Sequence, residues 1–180
     1  MPNTDRILSA FVPSGNPDTL AVSLALNDEG YAPGQLGGSF DSNDKTYSLV
    51  KVDSGATAAN AVGAVLANQV AFWKSKTNRI VTNDHRQCLT PTSPASSVAG
   101  IFRVAVATPG AGGTLVAILA RGHGITVAAG TTAIGAVMAD STASVSRVVT
   151  ATGILTALGI ARTADAASVI TMDVDIPTLP

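Results

Sequence analysis

Along residues 168–176, Ile170, Met172, Val174 and Ile176 fall on one side of an extended chain, and Thr171, Asp173 and Asp175 fall on the other. A period of two with apolar residues on one side predicts a half-buried strand of an antiparallel sheet. Thr46–Val52 sets Tyr47 and Leu49 against Val50 and Val52, which predicts a strand buried on both faces. Val70–Lys74 and Arg79–Thr82 read as a hairpin turning through Lys76-Thr77-Asn78. Val98–Val106 and Thr114–Arg121 flank Thr108-Pro109-Gly110-Ala111-Gly112-Gly113, a strong turn signal. Further strands are expected at Ile125–Val127, Ala133–Met138, Val145–Ala151 and Leu158–Arg162. Many short strands broken by Gly, Ser and Asp point to an all-β chain, a small antiparallel barrel or sandwich, and not to a βαβ fold.

Proline divides the chain. Pro2, Pro13, Pro17 and Pro33 crowd the start, Pro177 and Pro180 close the sequence, and none occurs from Gly34 to Thr90 or from Gly110 to Ile176. Ladder hydrogen bonds need the donor that proline lacks, so the proline-free stretches suit strands. Residues 1–45 are therefore expected to be an extended acidic N-terminal arm, with one short helix near Thr19–Leu26 capped by Asp18. Residues 46–180 are expected to be the β-rich domain. The Ala-rich stretch Ala56–Asn68 reads as a helical turn or a loop, and Asn83–Ser97 as a long polar loop. An internal echo joins Gly100-Ile101-Phe102-Arg103 to Gly159-Ile160-Ala161-Arg162, each followed by a turn and a strand.

The composition is 46% hydrophobic but only 4% aromatic and 13% charged, so bulk comes from small aliphatic residues. So little charge suits a chain whose surface is partly covered by a partner or by sister subunits. The net charge of −1 is unevenly spread. Up to Asp44, Arg6 stands alone against Asp5, Asp18, Asp28, Glu29, Asp41 and Asp44; from Lys45 to Arg121, eight bases face only Asp53 and Asp84. Opposed segments of this kind attract, within one chain or between neighbours. The bases are too dispersed for a nucleic-acid stripe, and no nucleic acid is expected as partner. Cys88 is the single cysteine, which rules out an intrachain disulfide framework. No apolar run approaches the length of a spanning helix, and the first residues lack the pattern of a secretory signal, so a cytoplasmic product with no membrane partner is expected.

Candidate chemistry is thin. Asp84, His85 and Cys88 lie close together, but a structural zinc site needs four ligands, and His123 is the one other histidine. Gly110–Gly113 lacks the Lys-Ser/Thr that follows a phosphate-binding loop. Gly122-His123-Gly124 reads as a turn, and Asp173 and Asp175 as a solvated outer face or an acidic patch toward a basic neighbour. No catalytic, cofactor or metal residue is assigned, and no enzyme activity is expected. The apolar anchors available to the arm are Phe11, Leu20, Tyr31 and Phe40. Phe72 and Trp73 point to opposite sides of a strand, so an exposed Trp73 is a contact candidate; burial of both is the alternative.

The run Val70-Ala71-Phe72-Trp73-Lys74-Ser75-Lys76-Thr77-Asn78-Arg79-Ile80-Val81-Thr82-Asn83-Asp84, followed by Ser97-Val98-Ala99-Gly100-Ile101-Phe102-Arg103, resembles head proteins of tailed bacteriophages. The closing pattern, Gly159-Ile160-Ala161, a small-residue turn and an alternating strand, is similar to the end of capsid decoration (cement) proteins. The resemblance covers roughly residues 46–176. It implies a structural virion protein, commonly trimeric, that is made in the host cytoplasm, binds the major capsid protein on the outside of the shell and stabilises it. Another virion component (minor capsid, head fibre base or tail protein) and a carbohydrate-binding or adhesive β-module are the alternatives.

Overall fold

The computed structural model describes residues 17–19, 21–23, 39–42, 44–52, 64–91, 97–109, 112–130, 132–135, 137–140, 148–150, 158–164 and 166–176. They form eleven strands: β1 (Ala21–Ser23), β2 (Ser39–Ser42), β3 (Lys45–Val52), β4 (Val70–Ser75), β5 (Ile80–Thr82), β6 (Val98–Phe102), β7 (Thr114–Ala128), β8 (Val137–Asp140), β9 (Val148–Thr150), β10 (Gly159–Ala161) and β11 (Val169–Asp175). Short 3-10 turns at Pro17–Thr19 and His85–Gln87 accompany them, and no α-helix occurs among the described residues.

Five strands close a barrel. β3, β5, β4, β6 and β7 lie side by side, and β7 returns to pair with β3 over Thr46–Val52. The β3–β5 contact is parallel (Lys51↔Ile80, Val52↔Val81), and the other barrel pairs are antiparallel. A parallel neighbour requires a crossover, and here the crossover contains β4, which then turns back beside β5. The hairpin expected at Val70–Thr82 is present, with its turn at Lys76–Asn78.

β7 is the spine. Fifteen residues of strand run to about 50 Å. Its first half belongs to the barrel. Its second half pairs with β11, from which the sheet continues through β10 and β8 to β9. A parallel bridge between Ala129 and Val148, with Gly130 N–H donating to the Val148 carbonyl at 2.9 Å, brings β9 back to the end of β7. The two strands expected at Thr114–Arg121 and Ile125–Val127 are thus one. The glycines between them do not end the strand but form a bulge, where His123 and Gly124 together oppose Asp173. Gly124 takes the left-handed φ of +63° that this bulge uses.

The barrel strands are apolar on both faces, so two cores form. One gathers Val50, Val52, Trp73, Phe102, Val116 and Ile118. The other starts from Tyr47, Phe72, Ile101 and Leu119 and continues through Ile125, Val127, Met138, Ile170 and Met172. That second core crosses from the barrel into the β8–β11 half, so the two halves share one interior. The echoed glycines mark close backbone approach: a Cβ on Gly100 would stand 2.7 Å from the Leu119 carbonyl oxygen, and one on Gly159 would collide with that of Asp173. Each glycine lies in the first strand of an antiparallel pair, β6–β7 or β10–β11, though Ile101 is buried and Ile160 exposed.

The beginning of the chain differs from expectation. Of the range Thr19–Leu26, where a helix is expected, the described residues are the end of a 3-10 turn and β1, which pairs antiparallel with Thr114–Val116 of β7; residues 20 and 24–26 lie outside the described residues. β6 pairs with β7 at Leu119 and Ile118, so the edge of β7 from Thr114 to Val116 takes β1 in its place. β2 likewise pairs with β3. Within residues 1–45 the described parts are the 3-10 turn, β1, β2 and the first residues beside β3, and both strands pair with the barrel sheet. Val98–Val106 is shorter than expected, since β6 ends at Phe102, and β8 begins at Val137 instead of Ala133. Of the Ala-rich stretch, residues 56–63 lie outside the described residues.

Candidate interaction surface

The outward side of β10, β11 and the second half of β7 carries a connected set of polar and apolar groups. Asp173 sits at its centre because the period of two turns it outward while Met172 and Val174 face the core. Its Oδ1 accepts from Arg162 Nε at 2.6 Å and from the Gly124 N–H at 3.0 Å, and His123 Nδ1 lies 3.4 Å away. The hydrogen bond from Arg162, helped by the Gly124 amide and the Arg162 charge, brings the Asp173 pKa down to about 2. Beside it, Arg121 Nε donates to Asp175 Oδ1 at 2.9 Å. The acidic pair seen in the sequence therefore meets basic neighbours within its own chain, and His123 stands in a strand bulge beside a carboxylate instead of in a turn. Exposed ion pairs add little to stability, so the main effect of this set is to hold a fixed pattern of charge.

Apolar groups flank that pattern. Ile160, opposite Asp173 in the register, is 53% exposed, and Val169 on the same side of β11 is 37% exposed. Ile134 is 71% exposed, and the next residue, Gly135, donates its N–H to the Ala161 carbonyl. Exposed aliphatic groups bordered by a polar rim have the composition of a protein–protein contact.

A second polar cluster lies where the leading segment meets the barrel. Asp18 Oδ2 accepts from Lys45 Nζ at 3.2 Å; its Oδ1 accepts from Tyr47 Oη at 2.9 Å and from Arg103 Nε at 3.0 Å. Burial pushes this carboxyl pKa up, but the hydrogen bonds from Arg103, Tyr47 and Lys45, with the Arg103 charge, outweigh it and hold the pKa below the usual value. Arg103 continues through Nη1 to Asn68 Oδ1 at 3.0 Å and to the Thr126 carbonyl at 3.3 Å. The attraction between an acidic leading segment and basic middle operates here inside one chain. The sequence signals were that charge asymmetry and an isolated Arg103 after β6, but nothing in them paired Asp18 with Arg103 across 85 positions.

The Asp84–Cys88 segment is a capped turn. Thr82 Oγ1 accepts from the Asp84 N–H at 3.1 Å, and Asp84 caps the 3-10 turn by accepting from the Arg86 N–H at 2.9 Å. Both Asp84 oxygens also accept from the Arg86 guanidinium at 2.9 Å. Burial raises the Asp84 pKa, yet these bonds and the Arg86 charge prevail and lower it. His85 packs edge-on to Phe72 with ring centroids 6.4 Å apart, and Cys88 is buried. Among the described residues, no group of three or more His, Cys, Asp or Glu side chains is placed to hold a metal ion.

Of the contact candidates, Phe11, Leu20 and Tyr31 lie outside the described residues. The Phe40 backbone pairs with Tyr47 on β2–β3. Trp73 is corrected: it is 4% exposed and Phe72 fully buried, because each belongs to a different one of the two cores. The Arg79 guanidinium also covers its ring, 6.0 Å from the centroid. The sequence reading did not single out the exposed Ile134, Ile160 and Val169; Ile160 opposite Asp173 could be found only once the register was known.

No family model, curated protein or solved structure matches this chain.

Proposed function

We propose that this protein decorates and stabilises the outer surface of a tailed-bacteriophage capsid, binding the major capsid protein as a trimer and carrying out no reaction. The observation that carries the reading is the exposed Ile134, Ile160 and Val169 beside the fixed Arg162–Asp173–His123 and Arg121–Asp175 pairs. The sequence resemblance adds support, since its longest run occupies three neighbouring barrel strands, β5, β4 and β6, and its closing pattern occupies β10 and β11. A standard stable contact buries about 1,600 Å², and several copies around a symmetry axis make a weak single contact persistent.

The test is sedimentation of the full chain alone and with assembled phage heads that lack it. A species of three chains that travels with the heads is expected, and Ile160→Asp or Ile134→Asp should abolish co-sedimentation while leaving the circular dichroism unchanged. A single chain that stays at the top of the gradient, or aspartate variants that bind as well as the parent, would overturn the reading.

A further inference from the structure

We propose that Pro17–Thr19 and Ala21–Ser23 act as a strap, clasped to the barrel by Asp18, whose release uncovers one edge of β7. This concerns the barrel itself and holds whatever the protein binds. The strap reaches the body of the fold in two ways among the described residues. β1 pairs over three residues, Ala21↔Val116, Val22↔Leu115 and Ser23↔Thr114. Immediately before it, Asp18 accepts from Lys45 and Tyr47 of β3 and from Arg103 just beyond β6.

Three residues of pairing are too few to hold a segment in place against the entropy of ordering it. The clasp supplies what the pairing lacks. Hydrogen bonds between a carboxylate and charged donors are about twice as strong as neutral ones, and the donor side chains are mostly shielded: Arg103 is 15% and Lys45 26% exposed. The donors come from different elements, so one anion ties β3 to the end of β6, and through Arg103 to the Thr126 carbonyl of β7.

Two consequences follow for a chain with a neutral residue at position 18. The strap leaves while the barrel, whose strands are closed by the β3–β7 pairing, stays folded. The Thr114–Val116 edge then loses the pairing that β1 makes with it. Asp18→Asn is the sharpest variant, because its amide keeps the shape of the carboxylate but turns one acceptor into a donor facing other donors.

The experiment is amide hydrogen exchange on the full chain and on Asp18→Asn, with Tyr47→Phe and Arg103→Gln as variants that each remove one donor. In Asp18→Asn, exchange at Ala21–Ser23 and at the β1-facing amides of Thr114–Val116 should rise at least about tenfold. Ile118, Leu119 and β11 should keep their protection, and Tyr47→Phe and Arg103→Gln should show smaller rises at the same amides. Unchanged exchange at β1 would overturn the clasp. Loss of protection across the barrel, or failure of all three variants to fold, would overturn the separable strap.

Discussion

Tyr47 has its ring in the core and its hydroxyl on Asp18, and this double commitment makes it a reporter of the barrel. Burial, the hydrogen bond to Asp18 and the Asp18 charge all disfavour the phenolate, so its pKa rises well above the ordinary value of 10. A folded pKa raised above the unfolded one means stability that is intact below about pH 10 and lost as pH climbs beyond it. A spectrophotometric titration of the native chain should show Tyr47 ionising only with unfolding, and Tyr47→Phe should remove that delayed step. Asp18 gives the opposite limb. Its folded pKa is lowered, so its contribution is present above the ordinary carboxylate value and fades as pH falls below it. Ionisation of Tyr47 before unfolding would contradict its placement. Trp73 shows where reading from residues ran out. Alternation alone put Phe72 and Trp73 on opposite sides of a strand, but it says nothing of what lies on each side, and here both sides are core.

At the level of elements, the turn between Ala166 and Val169 has a backbone at odds with its residues. Ala167 and Ser168 both adopt left-handed φ values, 53° and 65°, and Ala166 and Val169 exchange backbone hydrogen bonds around them. Two successive left-handed residues suit Asn-Gly, whereas an ordinary L-residue there costs roughly 1–2 kcal/mol. Ala167→Asn with Ser168→Gly should therefore raise the unfolding free energy by about 1–2 kcal/mol, seen as a higher urea midpoint with unchanged slope; a lower midpoint would show that the turn is not of this kind. Antiparallel hairpins such as β4–β5 and β10–β11 were legible because both strands and the turn between them lie in one short window. β1, β2 and the parallel β3–β5 contact were not. Ala21–Ser23 carries no alternation of its own and is a strand only because the β7 edge beside it takes its hydrogen bonds. β7 was read as two strands because glycines that close a bulge look the same in sequence as glycines that end a strand.

For the whole molecule, β7 decides whether there are one or two folding units. Its first half is a barrel stave and its second half holds the β8–β11 sheet, so a break at the Gly122-His123-Gly124 bulge would leave two independent bodies. Packing argues against such independence. The core that includes Ile101 and Leu119 in the barrel includes Ile125, Met138 and Met172 beyond it, and Asp175 and Ile176 donate their amides to the Leu158 and Ala120 carbonyls. Arg103 and Asn68 add polar ties from the barrel side to Thr126 and Ala128. The chain should then unfold in one step. Trp73 fluorescence follows the barrel, exchange at the β10 and β11 amides follows the other half, and both should share one urea midpoint. Leu119→Ala, which empties a fully buried site where the halves meet, should lower both readings together by about 2–5 kcal/mol. Two separated midpoints, or a Leu119→Ala loss confined to Trp73, would mean that the bulge divides the protein and the shared core does not.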